Sequence, residues 1–240
     1  MFTTDRGLCV PAVSMALMRE IDRIAMEETG PNLFQMMENA GRNLAETAMA
    51  MLGREWSGMQ TVVLAGTGGN GGGGICAARH LANRGVDVRL ALTSVENLRE
   101  VPAYQRSIYL STGEKEVGHR QLMSLRPDLV IDAVIGYSLD AAPRGAALDL
   151  IRWAQECGAP ILSLDIPSGT DATTGESRGE FIRADRTLSL ALPKTGLASA
   201  PTGDLFLGDL GIPAAAFTRA GVDYSSPFDE RYVIPIFRSG

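Results

Sequence analysis

Two aspartates stand in runs of residues that otherwise belong in a protein core. Asp132 lies within Leu129-Val130-Ile131-Asp132-Ala133-Val134-Ile135, and Asp165 closes Ile161-Leu162-Ser163-Leu164. Burying a carboxylate is costly unless it is hydrogen-bonded, paired or bound to a cation. Each acid therefore needs a reason: a ligand site, or an aspartate that caps the turn after its own strand. A third segment, Gly66-Thr67-Gly68-Gly69-Asn70-Gly71-Gly72-Gly73-Gly74, puts seven glycines in nine positions between an apolar run and a helical one. Bare backbone NH groups and a helix N-terminus there suit a phosphate or another polar ligand. At this glycine density a Gly-x-Gly-x-x-Gly match is almost automatic. The acid that a dinucleotide fold wants about 20 residues on is missing from Leu90-Ala91-Leu92-Thr93-Ser94. No Lys-Ser or Lys-Thr follows the glycines, which excludes a phosphate-loop NTPase. A merely flexible turn is the plain alternative, weakened by an entropic cost of up to about 1 kcal/mol per glycine.

Other chemistries lack their residues. His80 and His119 are the only histidines, and neither lies near a serine or cysteine nucleophile motif, so no catalytic triad is indicated. No zinc-protease or EF-hand pattern occurs. Cys9, Cys76 and Cys157 are too scattered for a thiolate metal site or a disulfide framework, and buried free thiols are expected. The methionines between Met15 and Met51 read as core or subunit interface.

The elements that must position these residues follow from periodicity. Leu17, Met18, Ile21, Ile24 and Ala25 predict an amphipathic helix over 14–29, and Gly30-Pro31-Asn32 separates it from a second helix over 33–52. Two helices thus precede any strand. Short β-branched runs then predict strands at 61–65, 86–92, 129–135, 161–166, 187–192 and 205–207, with helices near 75–83, 103–110 and 146–157. This alternation implies a mostly parallel, doubly wound α/β sandwich. Strand ends in such sheets gather at a ligand crevice, bringing both acids toward the glycine segment. The tail after Ala220 reads as an irregular strand or arm.

With 240 residues and no interior linker, one domain over 1–240 is expected. The 22 basic residues against 28 acidic ones give a net charge of −6 with no basic cluster, so a nucleic-acid partner is not expected. No apolar run reaches the roughly 18 residues of a membrane span and no signal peptide is visible, so a cytoplasmic protein without a membrane partner is expected.

Taken in order, these segments resemble the YjeF N-terminal domain family, whose characterised members are NAD(P)H-hydrate epimerases. The resemblance runs from about Met15 to Pro213. It rests on Met18-Arg19-Glu20-Ile21-Asp22, on Met37-Glu38-Asn39-Ala40-Gly41-Arg42, and on the glycine segment followed by Ala77-Ala78-Arg79-His80-Leu81. It continues through Asp132-Ala133-Val134-Ile135-Gly136, Asp165-Ile166-Pro167-Ser168-Gly169, Leu192-Pro193-Lys194 and Asp209-Leu210-Gly211-Ile212-Pro213. The resemblance implies a Rossmann-like three-layer αβα sandwich, a homodimer formed through the N-terminal helices, and interconversion of the R and S hydrates of NADH and NADPH. It also implies one potassium ion per subunit, on Asn70, Asp132 and Ser168; a cation would account for the buried Asp132. Substrate contacts would fall on Gly69, Asn70, Gly71, Gly72 and Gly73, on the turn Gly136, Tyr137, Ser138, Leu139, Asp140, Ala141 and Ala142, and on Asp165, the candidate acid/base.

Two departures carry expectations of their own. The family loop usually reads Asn-Asn-Gly-Gly-Asp where this chain has Gly69-Asn70-Gly71-Gly72-Gly73, so one amide and one acid are missing. Loss of a positioned proton-transfer group costs roughly 10²- to 10⁴-fold in rate. A catalytically silent nucleotide- or partner-binding member is therefore the alternative, and Gly73→Asp separates the two by raising the rate of an impaired epimerase only. Asp140 adds a negative charge to the second turn, which disfavours NADPH forms. The chain leaves no room for the dehydratase domain fused to many bacterial members and is expected to act alone.

Overall fold

Successive residues of the central strands enter different cores. In β3 (Gln60–Ala65), Val63 and Ala65 pack on one side of the sheet while Val62 and Leu64 pack on the other. A strand buried on both faces needs cover on both, and helices supply it. The structure is a computed structural model that describes residues 1–239.

The chain opens with β1 (Phe2–Thr4) and β2 (Cys9–Val10), then α1 (Met15–Ile24), a π-helical turn (Ala25–Thr29) and α2 (Leu33–Leu52). After β3 come α3 (Gly69–Ala82), β4 (Asp87–Leu92), α4 (Glu100–Leu110), β5 (Lys115–Glu116) and α5 (His119–Leu122). The second half runs β6 (Leu129–Ala133), α6 (Ala146–Glu156), β7 (Ile161–Leu164), β8 (Arg186–Leu190), β9 (Asp204–Gly208), α7 (Ala214–Arg219) and β10 (Val233–Arg238). One ten-stranded sheet has the order β2-β1-β10-β9-β8-β7-β6-β3-β4-β5. Pairing is parallel from β9 to β5 and antiparallel among β9, β10, β1 and β2. The expected three-layer αβα sandwich is thus present, with α1 to α4 contributing to one core and α6 to the other. Among the described residues no helix is long and apolar enough to cross a membrane.

Local signals explain the helix starts. The Ser14 side chain accepts from Leu17 N at the start of α1, and Asn32 and Gln35 form a reciprocal capping box at the start of α2. The expectation that two helices precede any strand is corrected: β1 and β2 come first, β1 held by pairing with β10 at the opposite end of the chain and β2 by pairing with β1. The tail forms a regular strand where it pairs with both β9 and β1. Buried thiols are found only in part, because Cys9 is exposed on short β2 and Cys157 is half-buried, whereas Cys76 is buried; all three are free.

Candidate active site

The central strands stop short of where their apolar runs end, and the released residues form the site. β7 ends because Asp165 takes φ +71°, a left-handed conformation costly for a side chain with a Cβ. Ala191, at φ +60°, ends β8 in the same way. β6 ends two residues before Ile135, where the backbone NH of Ile135 turns to Ser168 Oγ at 2.8 Å. These turns lie around a cavity of about 640 Å³ that α1 and α2 close from the side. That volume falls in the range of small-molecule sites.

Asp165 and Lys194 form a buried ion pair on this cavity, with side chains 4% and 1% exposed. Lys194 Nζ donates to Asp165 Oδ1 and to the carbonyl of Leu190 at 2.9 Å, while Leu190 N donates to Asp165 Oδ1 at 3.3 Å. The second oxygen of Asp165, Oδ2, has no hydrogen-bond partner among the described residues. Nζ also stands 5.7 Å from the centroid of the Tyr137 ring. The Tyr137 hydroxyl donates to Asp22 Oδ2, joining the turn after β6 to α1. Burial pushes the Asp22 carboxyl above its ordinary value, and burial together with the Asp22 charge pushes the Tyr137 phenol well above its own.

Asp132 meets the cost of burial differently. Oδ2 accepts from Ser163 Oγ at 2.8 Å and Ser168 N at 2.9 Å; Oδ1 accepts from Ser168 Oγ at 2.6 Å and Val134 N at 3.3 Å. These bonds oppose, without cancelling, the burial that pushes its carboxyl upward, and its bond to Val134 is the turn cap of the structural alternative. Asn70 sits against Gly136, where a Cβ would approach Asn70 Oδ1 to 3.1 Å. The buried Asn70 Nδ2 has no hydrogen-bond partner. The carboxyl, hydroxyl and amide of Asp132, Ser168 and Asn70 are oxygen donors of the hard type that suits an alkali cation. A half-turn of the amide exchanges its nitrogen for its oxygen.

The glycine segment is a helix rather than a loop from Gly69 onward. Only Thr67, Gly68, Gly69 and Asn70 reach the cavity, while Gly71, Gly72 and Gly73 are buried within α3. A Cβ on Gly73 would stand 2.8 Å from Leu164 Cδ2 and 3.5 Å from Ala40 Cβ, so an aspartate there requires Leu164 to move. In the second turn, Gly136, Tyr137, Ser138 and Asp140 line the cavity; Leu139 is buried away from it, and Ala141 and Ala142 are exposed outside it. The Asp140 carboxylate lies 3.6 Å from Arg19, which offsets its charge. Asp132 and Ser168 sit behind the cavity wall.

Sequence reasoning gave no role to Asp22, Lys194 or Arg99, all of which line the cavity. Asp22 and Lys194 lie inside matched motif segments, the one signal that could have marked them. Arg99 makes no ion pair among the described residues and its backbone NH donates to Thr67 O at 3.1 Å, beside the start of α3. Four of the methionines, Met18, Met26, Met36 and Met37, wall the cavity as well.

Comparison with known proteins agrees with this architecture. A protein of Dehalogenimonas lykanthroporepellens named NAD(P)H-hydrate epimerase is 50% identical over 239 residues, covering 99% of this chain and 98% of its own length. A bifunctional NAD(P)H-hydrate repair enzyme of Salinibacter ruber is 34% identical over 234 residues, 89% of this chain but 43% of that longer protein. The crystal structure of yeast YNL200c superposes with a TM-score of 0.80 at 23% identity, over 94% of this chain and 100% of that one, and so shares the fold. The family described as YjeF-related protein N-terminus matches residues 33–196, and this chain belongs to it.

Proposed function

We propose that the protein is an NAD(P)H-hydrate epimerase, interconverting the R and S hydrates of NADH and NADPH. The observation that carries this reading is the half-identical relative of that name, matched over 99% of the chain, with the cavity and its Asp165–Lys194 pair in support. Nothing in the site favours a silent binding member: the cavity is open, and Asp165 keeps an oxygen free of protein partners.

The substrate is a hemiaminal, whose hydroxyl-bearing carbon is bonded to the ring nitrogen. Protonated departure of that hydroxyl leaves an iminium, and water can return to either face. Asp165 is the acid/base, working through Oδ2 while Lys194 and Leu190 N hold Oδ1. The Gly68–Asn70 backbone at the start of α3 and the uncommitted Arg99 give the substrate's diphosphate NH groups and a cation. Gly71, Gly72 and Gly73, buried in α3, and Leu139, Ala141 and Ala142, outside the cavity lining, are not among the substrate contacts of this reading.

Asn70, Asp132 and Ser168 would hold one potassium ion per subunit, which would supply a fixed positive charge to the site. A homodimer through the N-terminal helices, with Met26 46% exposed beside α1, completes the reading. Its work belongs in the cytoplasm, a reducing compartment in keeping with three free cysteines.

The test uses mixed R and S NADH hydrate with a dehydratase that consumes only the S form. Adding the protein with potassium should return the stalled R fraction to NADH faster than spontaneous epimerisation, and Asp165→Asn should lower that rate by roughly 10²- to 10⁴-fold. No acceleration at stoichiometric protein overturns the reading.

A further inference from the structure

The cavity holds a second carboxyl that the mechanism above leaves unused. Asp22 lies on α1, makes no ion pair among the described residues, and accepts a hydrogen bond from the Tyr137 hydroxyl. Asp165 lies on the turn after β7 and is bonded to the Lys194 ammonium. The Tyr137 ring connects the two groups, with its hydroxyl on Asp22 and its face near Lys194 Nζ. Both carboxyls line the same cavity, yet they come from different elements and have partners of different charge.

Inversion at the hemiaminal carbon breaks a C–O bond on one face and makes one on the other. A single carboxyl fixed in the wall reaches one face unless the ring turns over while bound. A nucleotide tail anchored at the α3 end of the cavity opposes that turn. We propose that Asp22 is a second catalytic acid/base, serving the face of the hemiaminal carbon opposite the one served by Asp165, with Tyr137 as its positioning residue. The inference rests on the epimerase reading. It adds a role for Asp22 and Tyr137 to the Asp165 chemistry already described.

In one direction the Asp22 carboxyl gives its proton to the substrate hydroxyl. The C–O bond breaks, its electron pair leaves with water, and the ring nitrogen's lone pair forms the C=N bond of the iminium. A water on the other face then adds through an oxygen lone pair, the C=N π electrons return to nitrogen, and the Asp165 carboxylate takes the proton released. One proton has passed from Asp22 to Asp165, and the opposite epimer runs the same steps in reverse. Burial and, to a smaller extent, the Asp165 charge push the Asp22 carboxyl up against pulls from Tyr137 and Lys194, which suits it to carry the proton first.

The experiment follows epimerisation and ¹⁸O entry from labelled water into each hydrate epimer, for the full-length protein and its variants. Wild type should epimerise and label both epimers. Asp22→Asn keeps an oxygen that can accept from Tyr137, so a purely structural role predicts wild-type rates. The two-carboxyl mechanism instead gives epimerisation lowered by roughly 10²- to 10⁴-fold, while label still enters one epimer without inversion. Asp165→Asn should label only the other epimer. Wild-type epimerisation in Asp22→Asn, or loss of labelling in both epimers together from a variant with unchanged melting, overturns the proposal. Should Asp22→Asn not fold, Tyr137→Phe decides: kcat should fall with KM held, and an unchanged kcat overturns it. A wild type that neither epimerises nor exchanges above the spontaneous rate overturns the epimerase reading and this inference with it.

Discussion

Glu38 shows how a partly exposed acid is tied into the core without serving the cavity. It accepts from Arg79 Nη2 and from His80 Nε2 at 2.9 Å, and Cys76 Sγ lies 3.4 Å away. The ligand atoms of Glu38, Cys76 and His80 lie within 4.8 Å of one another, but the Arg79 guanidinium touches all three and already supplies the positive charge. Burial pushes the Cys76 thiol up to about 12, leaving it a poor thiolate ligand. Burial also pushes Glu38 up, yet the hydrogen bonds from Arg79 and His80 outweigh it and hold the carboxyl at about 2, against an ordinary 4.5. Because the folded-state value is depressed, this contribution to stability is complete above pH 4.5 and is lost as pH falls toward about 2. The Glu38 side chain is 39% exposed, so solvent screening limits the ion pair to about 1 kcal/mol or less. Glu38→Gln should lower the urea midpoint at pH 7, and the two proteins' midpoints should converge as the acid limb is descended. Parallel curves across that window would show that Glu38 carries no pH-linked stability.

At the scale of elements, α3 runs against helix propensity. Glycine costs about 1 kcal/mol relative to alanine inside a helix, so the segment reads as a loop until its packing is seen. A Cβ on Gly71 would lie 1.9 Å from the Gly66 carbonyl oxygen, and one on Gly74 would lie 2.4 Å from Ala133 Cβ in β6. Gly41 does the same from α2, where a Cβ would meet Cys76 Cβ at 2.4 Å. Close approach of α3 to the sheet and to α2 therefore selects glycine and overrides propensity. Gly71→Ala must displace backbone and should destabilise by about 2 kcal/mol or more in urea unfolding. Gly69 has nothing within 4 Å of its missing Cβ, so Gly69→Ala should be neutral or stabilising by up to about 1 kcal/mol. Equal losses at both positions would show that composition rather than contact sets the glycine requirement.

For the whole molecule, the proposed homodimer should appear by light scattering at micromolar concentration, and a monomer there would count against it. The sequence by itself determined the order of the central elements and the burial of Asp132 and Asp165, because both follow from periodicity and from acids placed in apolar runs. It also located α2 at residues 33–52, the bounds found in the structure, because the Gly30-Pro31-Asn32 break and apolar spacing are local signals. What it left open depends on contacts between distant parts of the chain. β1 and β2, of three and two residues, are too short to show a pattern; β1 is held by β10 and β2 by β1. The Asp165–Lys194 pair joins residues 29 apart, and the Tyr137–Asp22 bond joins residues 115 apart. Only the tertiary structure decided which oxygen of Asp165 stays free, which glycines face the cavity, and that α1 brings a second carboxyl to it. A side chain's partners are set by how remote segments pack, and hydrophobic periodicity records only which face of its own element is buried.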